Sequence, residues 1–173
     1  MTHLPALIVS VQLLAKTAPR GPTSEIRTAI KNKALKIASQ GVDAGLLTVC
    51  VVPSDWDTTY FDWPESCLIL RRKADDRSIF SLALSVTAHH PGWLLIPTDA
   101  EVPTIETVLL VAEKLKNSTI TMASQNGCRG YPAGFAAELF SELSQTQTIE
   151  DLDRIFCRYP VTDVQINQKP GTA

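Results

Sequence analysis

What this chain lacks narrows its chemistry first. None of its four cysteines, Cys50, Cys67, Cys128 and Cys157, forms a Cys-x-x-Cys pair, and no histidine stands at finger spacing from any of them, so a structural zinc site finds no ligand set. No block of five or six like charges occurs and the formal net charge is −2, so nucleic-acid binding is not the first expectation. The densest basic run, Arg71-Arg72-Lys73, is followed after Ala74 by Asp75 and Asp76, which cancel much of its field. No apolar run reaches the roughly 18 residues of a membrane span. The stretch from Leu4 to Ala15 contains Gln12 and has no basic segment before it, so it reads as a buried strand and not as a targeting signal. A reducing, cytoplasmic setting without membrane contact is the resulting expectation. A Gly-x-Ser-x-Gly elbow is also missing, and with it the usual mark of a serine hydrolase.

What remains is a chain of 173 residues, the size of one domain, here taken as residues 1–173. Folding at that size buries on the order of 70% of the unfolded surface, so the core needs no disulfide or metal. Short β-branched or apolar runs alternate with amphipathic segments. Ala6 to Val11 reads as a first strand, then a helix capped by Thr23 or Ser24 runs to about Gln40 with Gly41 as its stop. Ile26, Ile30, Ala34, Ile37 and Ala38 share one face of that helix. Gly45 to Val52 and Cys67 to Leu70 read as strands. Arg77 to about His89 reads as a helix with Ile79, Phe80, Leu82, Ala83 and Val86 inward. Trp93 to Ile96 is a strand broken by Pro97, Thr104 opens a helix to about Leu115, and Ser118 to Ala123 is the next strand. A loop through Asn126-Gly127, a turn at Gly130-Tyr131-Pro132, helices at Ala136 to Leu143 and Thr148 to Arg158, and a strand at Val161 to Ile166 complete the reading. Such alternation implies a three-layer α/β/α sandwich with a mostly parallel, Rossmann-like sheet whose ligand edge is set by the C-terminal ends of the strands.

Asp99 follows the WLLI strand by three positions and should emerge at that edge. A carboxylate there suits Mg²⁺, which takes one or two protein carboxylates plus substrate phosphates; it also suits a turn or helix cap, and spacing leaves both open. Trp56, Tyr60, Phe61 and Trp63 cluster in one loop, where they can stack a base, cover the sheet edge or meet a protein partner. His89 and His90 precede Pro91 at a helix end, where imidazolium suits the helix dipole. Cys50 and Cys67 lie in apolar runs and read as small core hydrophobes, whereas Cys128 stands beside Arg129.

The segment Leu94 to Thr107 (LLIPTDAEVPTIET), Arg129-Gly130-Tyr131-Pro132-Ala133-Gly134-Phe135, and the acidic helix from Thr148 together resemble the MobA-like NTP transferases, the cytidylyl- and guanylyltransferases of molybdenum-cofactor maturation. The resemblance implies a nucleotide-diphospho-sugar transferase-like fold, with Asp99 at the metal-binding Asp, Mg²⁺ as cofactor if the chain is active, and a nucleotide or phosphorylated small molecule as ligand. It places Ser81, Arg129, Gly130 and Tyr131 in the substrate site, with Tyr131 where the family has His, and it assigns no catalytic side chain.

Two departures weaken the enzyme implied by this likeness. Where the family has a glycine-rich phosphate loop after the first strand, this chain has Ser10-Val11-Gln12-Leu13-Leu14-Ala15-Lys16. Lys16 can supply charge there, but the close backbone approach that glycines allow is gone. Where the family ends its last strand in Asp-x-Asp-Thr-Pro, this chain has Gln165-Ile166-Asn167, amides in place of both carboxylates. Each such electrostatic contact is typically worth about 3 kcal/mol, so the sequence implies a binding or accessory module with weak or lost transfer activity. An active Mg²⁺-dependent nucleotidyltransferase, and a partner-binding module using the aromatic loop, stand as alternatives.

Overall fold

The computed structural model describes residues 4–11, 24–56, 62–73, 78 and 80–167. Seven strands form one sheet: β1 Ala6–Ser10, β2 Thr48–Pro53, β3 Cys67–Arg72, β4 Gly92–Pro97, β5 Ile120–Gln125, β6 Cys128–Ala136 and β7 Val161–Gln165. Their spatial order is β3-β2-β1-β4-β6-β5-β7. All neighbours are parallel except β6, which runs antiparallel to both β4 and β5.

The apolar strands are covered on both sides, as a parallel sheet requires. Along β1 and β4 the side chains alternate: Ala6, Ile8, Trp93 and Leu95 enter one core, and Leu7, Val9, Leu94 and Ile96 enter the other. The first core is closed by α2 Ser81–Val86, α4 Phe140–Gln145 and α5 Leu152–Arg158, through Ala83, Leu84, Leu143, Leu152 and Ile155. The second is closed by α1 Ser24–Asp43 and α3 Ile105–Leu115, through Ile37, Ala38, Val108, Val111, Ala112 and Leu115. The expected three-layer sandwich is therefore present. Among the described residues, no helix is long and apolar enough to cross a membrane.

Several local expectations need correction. Gly41 does not stop α1, which continues to Asp43; a Cβ at Gly41 would meet Leu7 and Thr48, so the glycine lets the helix lie close on the sheet. The left-handed residue that ends this segment is Gly45, at φ 78°. In α2 the buried positions are Phe80, Ala83, Leu84 and Thr87, while Leu82 and Val86 are exposed; the inward stripe follows i, i+3, i+4, i+7 from Phe80, and Ile79 lies outside the described residues. Pro97 is the last residue of β4 and does not break it. The expected turn at Gly130-Tyr131-Pro132 is the middle of β6. The turn lies earlier, at Asn126 (φ 51°) and Gly127 (φ 80°), the pair of positive φ values that a two-residue hairpin prefers.

Candidate functional site

From β1 the chain steps outward to β2 and β3, then crosses back to lay β4 on the opposite side of β1. The strand order reverses there, and α/β sheets bind ligands at such a switch point, outside the C-terminal strand ends. The two strands stay joined past their last residues, where Thr98 N–H donates to Ser10 O at 3.0 Å. Thr98 is buried and Asp99 beyond it is exposed. The helix cap expected nearby is Thr104, whose hydroxyl accepts from Thr107 N–H at 3.1 Å. Asp99 is not that cap but, as its spacing also allowed, a turn residue, in the turn closed by Ala100 N–H donating to Pro97 O at 3.0 Å.

Because β6 is antiparallel, it brings its N-terminal residues to the edge where its neighbours end. Ala133 pairs with Leu95 on β4 and with Met122 on β5, but Ala123 pairs with Gly130. Tyr131 and Pro132 are therefore extra residues in an irregular stretch, which re-aims the side chains around it. Tyr131 packs on the core beneath α2, α4 and α5, and the peptide to Pro132 is cis. Burial first, then the carboxylates of Asp99, Asp153 and Glu150, push the Tyr131 hydroxyl up to about 12. The phenol keeps its proton well into the alkaline range and so stays available as a hydrogen-bond donor.

The Tyr131 shift has a consequence for stability. Between the ordinary tyrosine value near 10 and the folded value near 12, the folded protein holds a proton that the unfolded chain has lost, so stability falls as pH rises through this window. Below pH about 10 both states are protonated and the group contributes no slope. In Tyr131→Phe the alkaline loss of stability, read from urea midpoints between pH 9 and 12, is expected to be shallower than in the wild type; identical slopes would show that the hydroxyl is not in this environment.

Arg129, two residues before Tyr131, is engaged with the edge strand β7. Its Nε and Nη2 donate to the two carboxylate oxygens of Asp163 on β7, at 2.6 and 3.3 Å, and this ion pair raises the guanidinium further. Gly130 has no positive φ and open space where a Cβ would stand, so neither backbone conformation nor packing demands glycine there. Ser81 is the first residue of α2 and exposed, and its N–H donates to Ser78 Oγ at 3.2 Å. Lys16 lies outside the described residues. Gln165 ends β7, and Ile166 N–H donates to Ser124 O at 2.9 Å, so the amides in place of the family's carboxylates do reach this edge. The structure therefore brings Asp99 within electrostatic reach of Tyr131 and commits Arg129 to Asp163. Glu150 and Asp153 belong to the acidic segment from Thr148, but sequence assigns them no role; the turn before α5 and the first turn of α5 place them where their charges act on Tyr131.

The donor set decides what metal it fits. Among the described residues, no three of His, Cys, Asp and Glu converge to form a cage. A single exposed carboxylate fits a Mg²⁺ ion that arrives with phosphate ligands and keeps its waters, and does not fit a resident zinc or calcium. A separate cavity of about 570 Å³ lies between α4 and α5, lined by Glu142, Thr146, Arg154 and Arg158 among others. It sits off the strand ends, and Glu142 is already held at 3.0 Å by both Arg158 and Tyr159.

No family model matches this chain, and no curated protein sequence matches it. Solved structures do. A manganese complex of Rv0371c from Mycobacterium tuberculosis H37Rv is similar, with a TM-score of 0.73 and 14% identity over 97% of this chain and 90% of that one. The 2-C-methyl-D-erythritol 4-phosphate cytidylyltransferase from Thermus thermophilus is similar at a TM-score of 0.57 and 14% identity, covering 95% of this chain and 89% of that one. A candidate nucleotide-diphospho-sugar transferase from Desulfovibrio desulfuricans G20 follows at 0.51 and 15%, covering 92% and 79%. Identities this low speak for architecture alone, and on that ground the chain has a nucleotide-diphospho-sugar transferase-like, Rossmann-type fold.

Proposed function

We propose that this chain is a MobA-like member of that fold which binds a nucleotide or phosphorylated small molecule at the Asp99 edge, serving as a binding or accessory module with weak or lost transfer. The observation that carries the proposal is the exposed Asp99 at the β1/β4 switch point, with Tyr131 within reach of its charge. Asp99 would hold a Mg²⁺ ion, which when bound screens phosphate charge. Tyr131 donates its O–H to an oxygen of the ligand and, kept protonated, does not serve as a base near neutrality. Transfer of a nucleotidyl group needs no side-chain nucleophile, only positioning and charge stabilisation, and the chain has amides at Gln165 and Asn167 where a second carboxylate would help.

The second reading is an active Mg²⁺-dependent nucleotidyltransferase moving a nucleotide from an NTP to a phosphorylated acceptor such as molybdopterin, and it is favoured by the same placement of Asp99. The third, a partner-binding aromatic loop, is weakened by Trp56, which is 5% exposed and packs on Val11, Ala34 and Val52; Tyr60 and Phe61 lie outside the described residues.

Titration with CTP, GTP or ATP in Mg²⁺ is expected to give dissociation constants of about 1 mM or weaker. Asp99→Asn should leave the melting temperature unchanged, since no described contact depends on it, and should abolish the part of the binding that requires the metal. A micromolar constant for one nucleotide would favour the active enzyme. Metal-dependent binding that survives in Asp99→Asn would remove Asp99 from the site.

A further inference from the structure

Cys50 and Cys67 stand apart from the ligand edge, and their thiols face each other. Cys50 lies in the middle of β2, fully buried, and Cys67 is the first residue of the edge strand β3, partly exposed. Their Sγ atoms are 3.6 Å apart. Cys50 pairs with Ile69 and Cys67 with Thr48, so the two are diagonal neighbours on one face of the sheet, both packed in the core beneath α1 and α3.

The environment separates their roles. The S–H of Cys50 beside it holds the Cys67 thiol below its ordinary value, whereas Cys67 and then burial push Cys50 well up. Thiolate character and access both favour Cys67 as the sulfur that meets an oxidant. Cys50 has no access of its own and waits within reach.

We propose that Cys50 and Cys67 form a peroxide-sensitive oxidation site, in which Cys67 is oxidised first and Cys50 resolves it into an intramolecular disulfide. The Cys67 sulfur attacks one peroxide oxygen, the O–O bond breaks, and hydroxide leaves to take up the thiol proton as water, with sulfenic acid left on Cys67. The Cys50 sulfur then attacks the Cys67 sulfur; the S–S bond forms, the S–O bond breaks, and the oxygen departs as water with the Cys50 proton. Two thiols are oxidised and one peroxide is reduced to two waters. Diagonal strand neighbours have Cα atoms about 7–8 Å apart, beyond the usual disulfide range. Closing the bond therefore requires the start of β3 to shift, which an edge strand with a single neighbour permits. A bond formed under that strain is readily reduced, the property of a reversible mark and not of a structural bridge.

The test uses the full chain with the two exposed cysteines replaced, Cys128→Ser and Cys157→Ser, treated with hydrogen peroxide and mapped without reductant. The expected result is loss of both remaining thiols, a peptide joining the Cys50 and Cys67 segments, and full recovery with dithiothreitol. In the same background Cys50→Ala is expected to let dimedone trap sulfenic acid on Cys67. Sulfinic acid accumulating on Cys67 while Cys50 stays free, or no reaction at Cys67 at peroxide levels that oxidise Cys128 in the wild type, would overturn the proposal.

Discussion

Trp93→Ala is expected to cost about 4 kcal/mol of stability, near the middle of the range for emptying a buried Trp site, and to lower the melting temperature by roughly 8–16 °C for a domain of this size. Trp93, the second residue of β4, is 1% exposed. Its ring packs tilted against Phe140 with centroids 5.9 Å apart. Its indole N–H donates to Thr87 Oγ1 at 2.9 Å, and that hydroxyl donates to Ala83 O at 2.7 Å. One side chain therefore ties the sheet to both α2 and α4. Trp93→Phe keeps most of the volume and loses the N–H bond, so a cost of about 1–2 kcal/mol is expected. Equal destabilisation by the two changes in urea unfolding would mean that the hydrogen bond, and not the filled volume, is what matters.

Gly41→Ala is expected to cost about 3 kcal/mol, at the upper end for overpacking. The new Cβ would stand 2.5 Å from Thr48 Oγ1 and against Leu7. Both neighbours are fully buried, and Thr48 is further held by its bond to Leu46 O at 3.2 Å, so neither can swing aside. The helix must lift from the sheet instead. Gly45→Ala is the control, since nothing lies within 4 Å of its would-be Cβ and only its φ of 78° opposes a side chain. A cost of about 1–2 kcal/mol follows from that backbone alone. If Gly41→Ala proved the milder change, close packing of α1 on β1 and β2 would not be its role.

The same glycine shows where sequence patterns stop being informative. A Gly at the end of an amphipathic stretch looks alike whether it ends a helix or lets the helix approach a sheet, and only the partner surface tells the two apart. β6 was hidden for a related reason. Its residues CRGYPAGFA contain two glycines, a proline and no β-branched side chain, so propensity and alternation both point to a turn. Of the two glycines only Gly134 answers to close packing: a Cβ there would meet Thr121 and Leu94 on the flanking strands and Leu115 of α3. The all-apolar strands β1, β2 and β4 and the Thr104-capped α3 were legible, because burial on both faces and capping each leave a local mark. For the site, Asp99 could be placed from its distance past an apolar strand. Its neighbourhood was legible only in part: the family likeness named Tyr131, but no role could be read for Glu150 or Asp153, which the turn before α5 and the first turn of that helix bring toward it. Nor could the pairing of Arg129 with Asp163, which lie 34 positions apart.

The reversed direction of β6 also has a practical side. The Asn126-Gly127 hairpin that precedes it is exposed and points out over the same rim as Asp99. Its two residues join β5 to β6, and the pairing of those strands continues for several residues below them. A short flexible segment or a fluorescent reporter spliced between Asn126 and Gly127 would therefore hang beside the Asp99 rim while the sheet beneath stays paired, and would give an optical readout of any ligand taken by the proposed site.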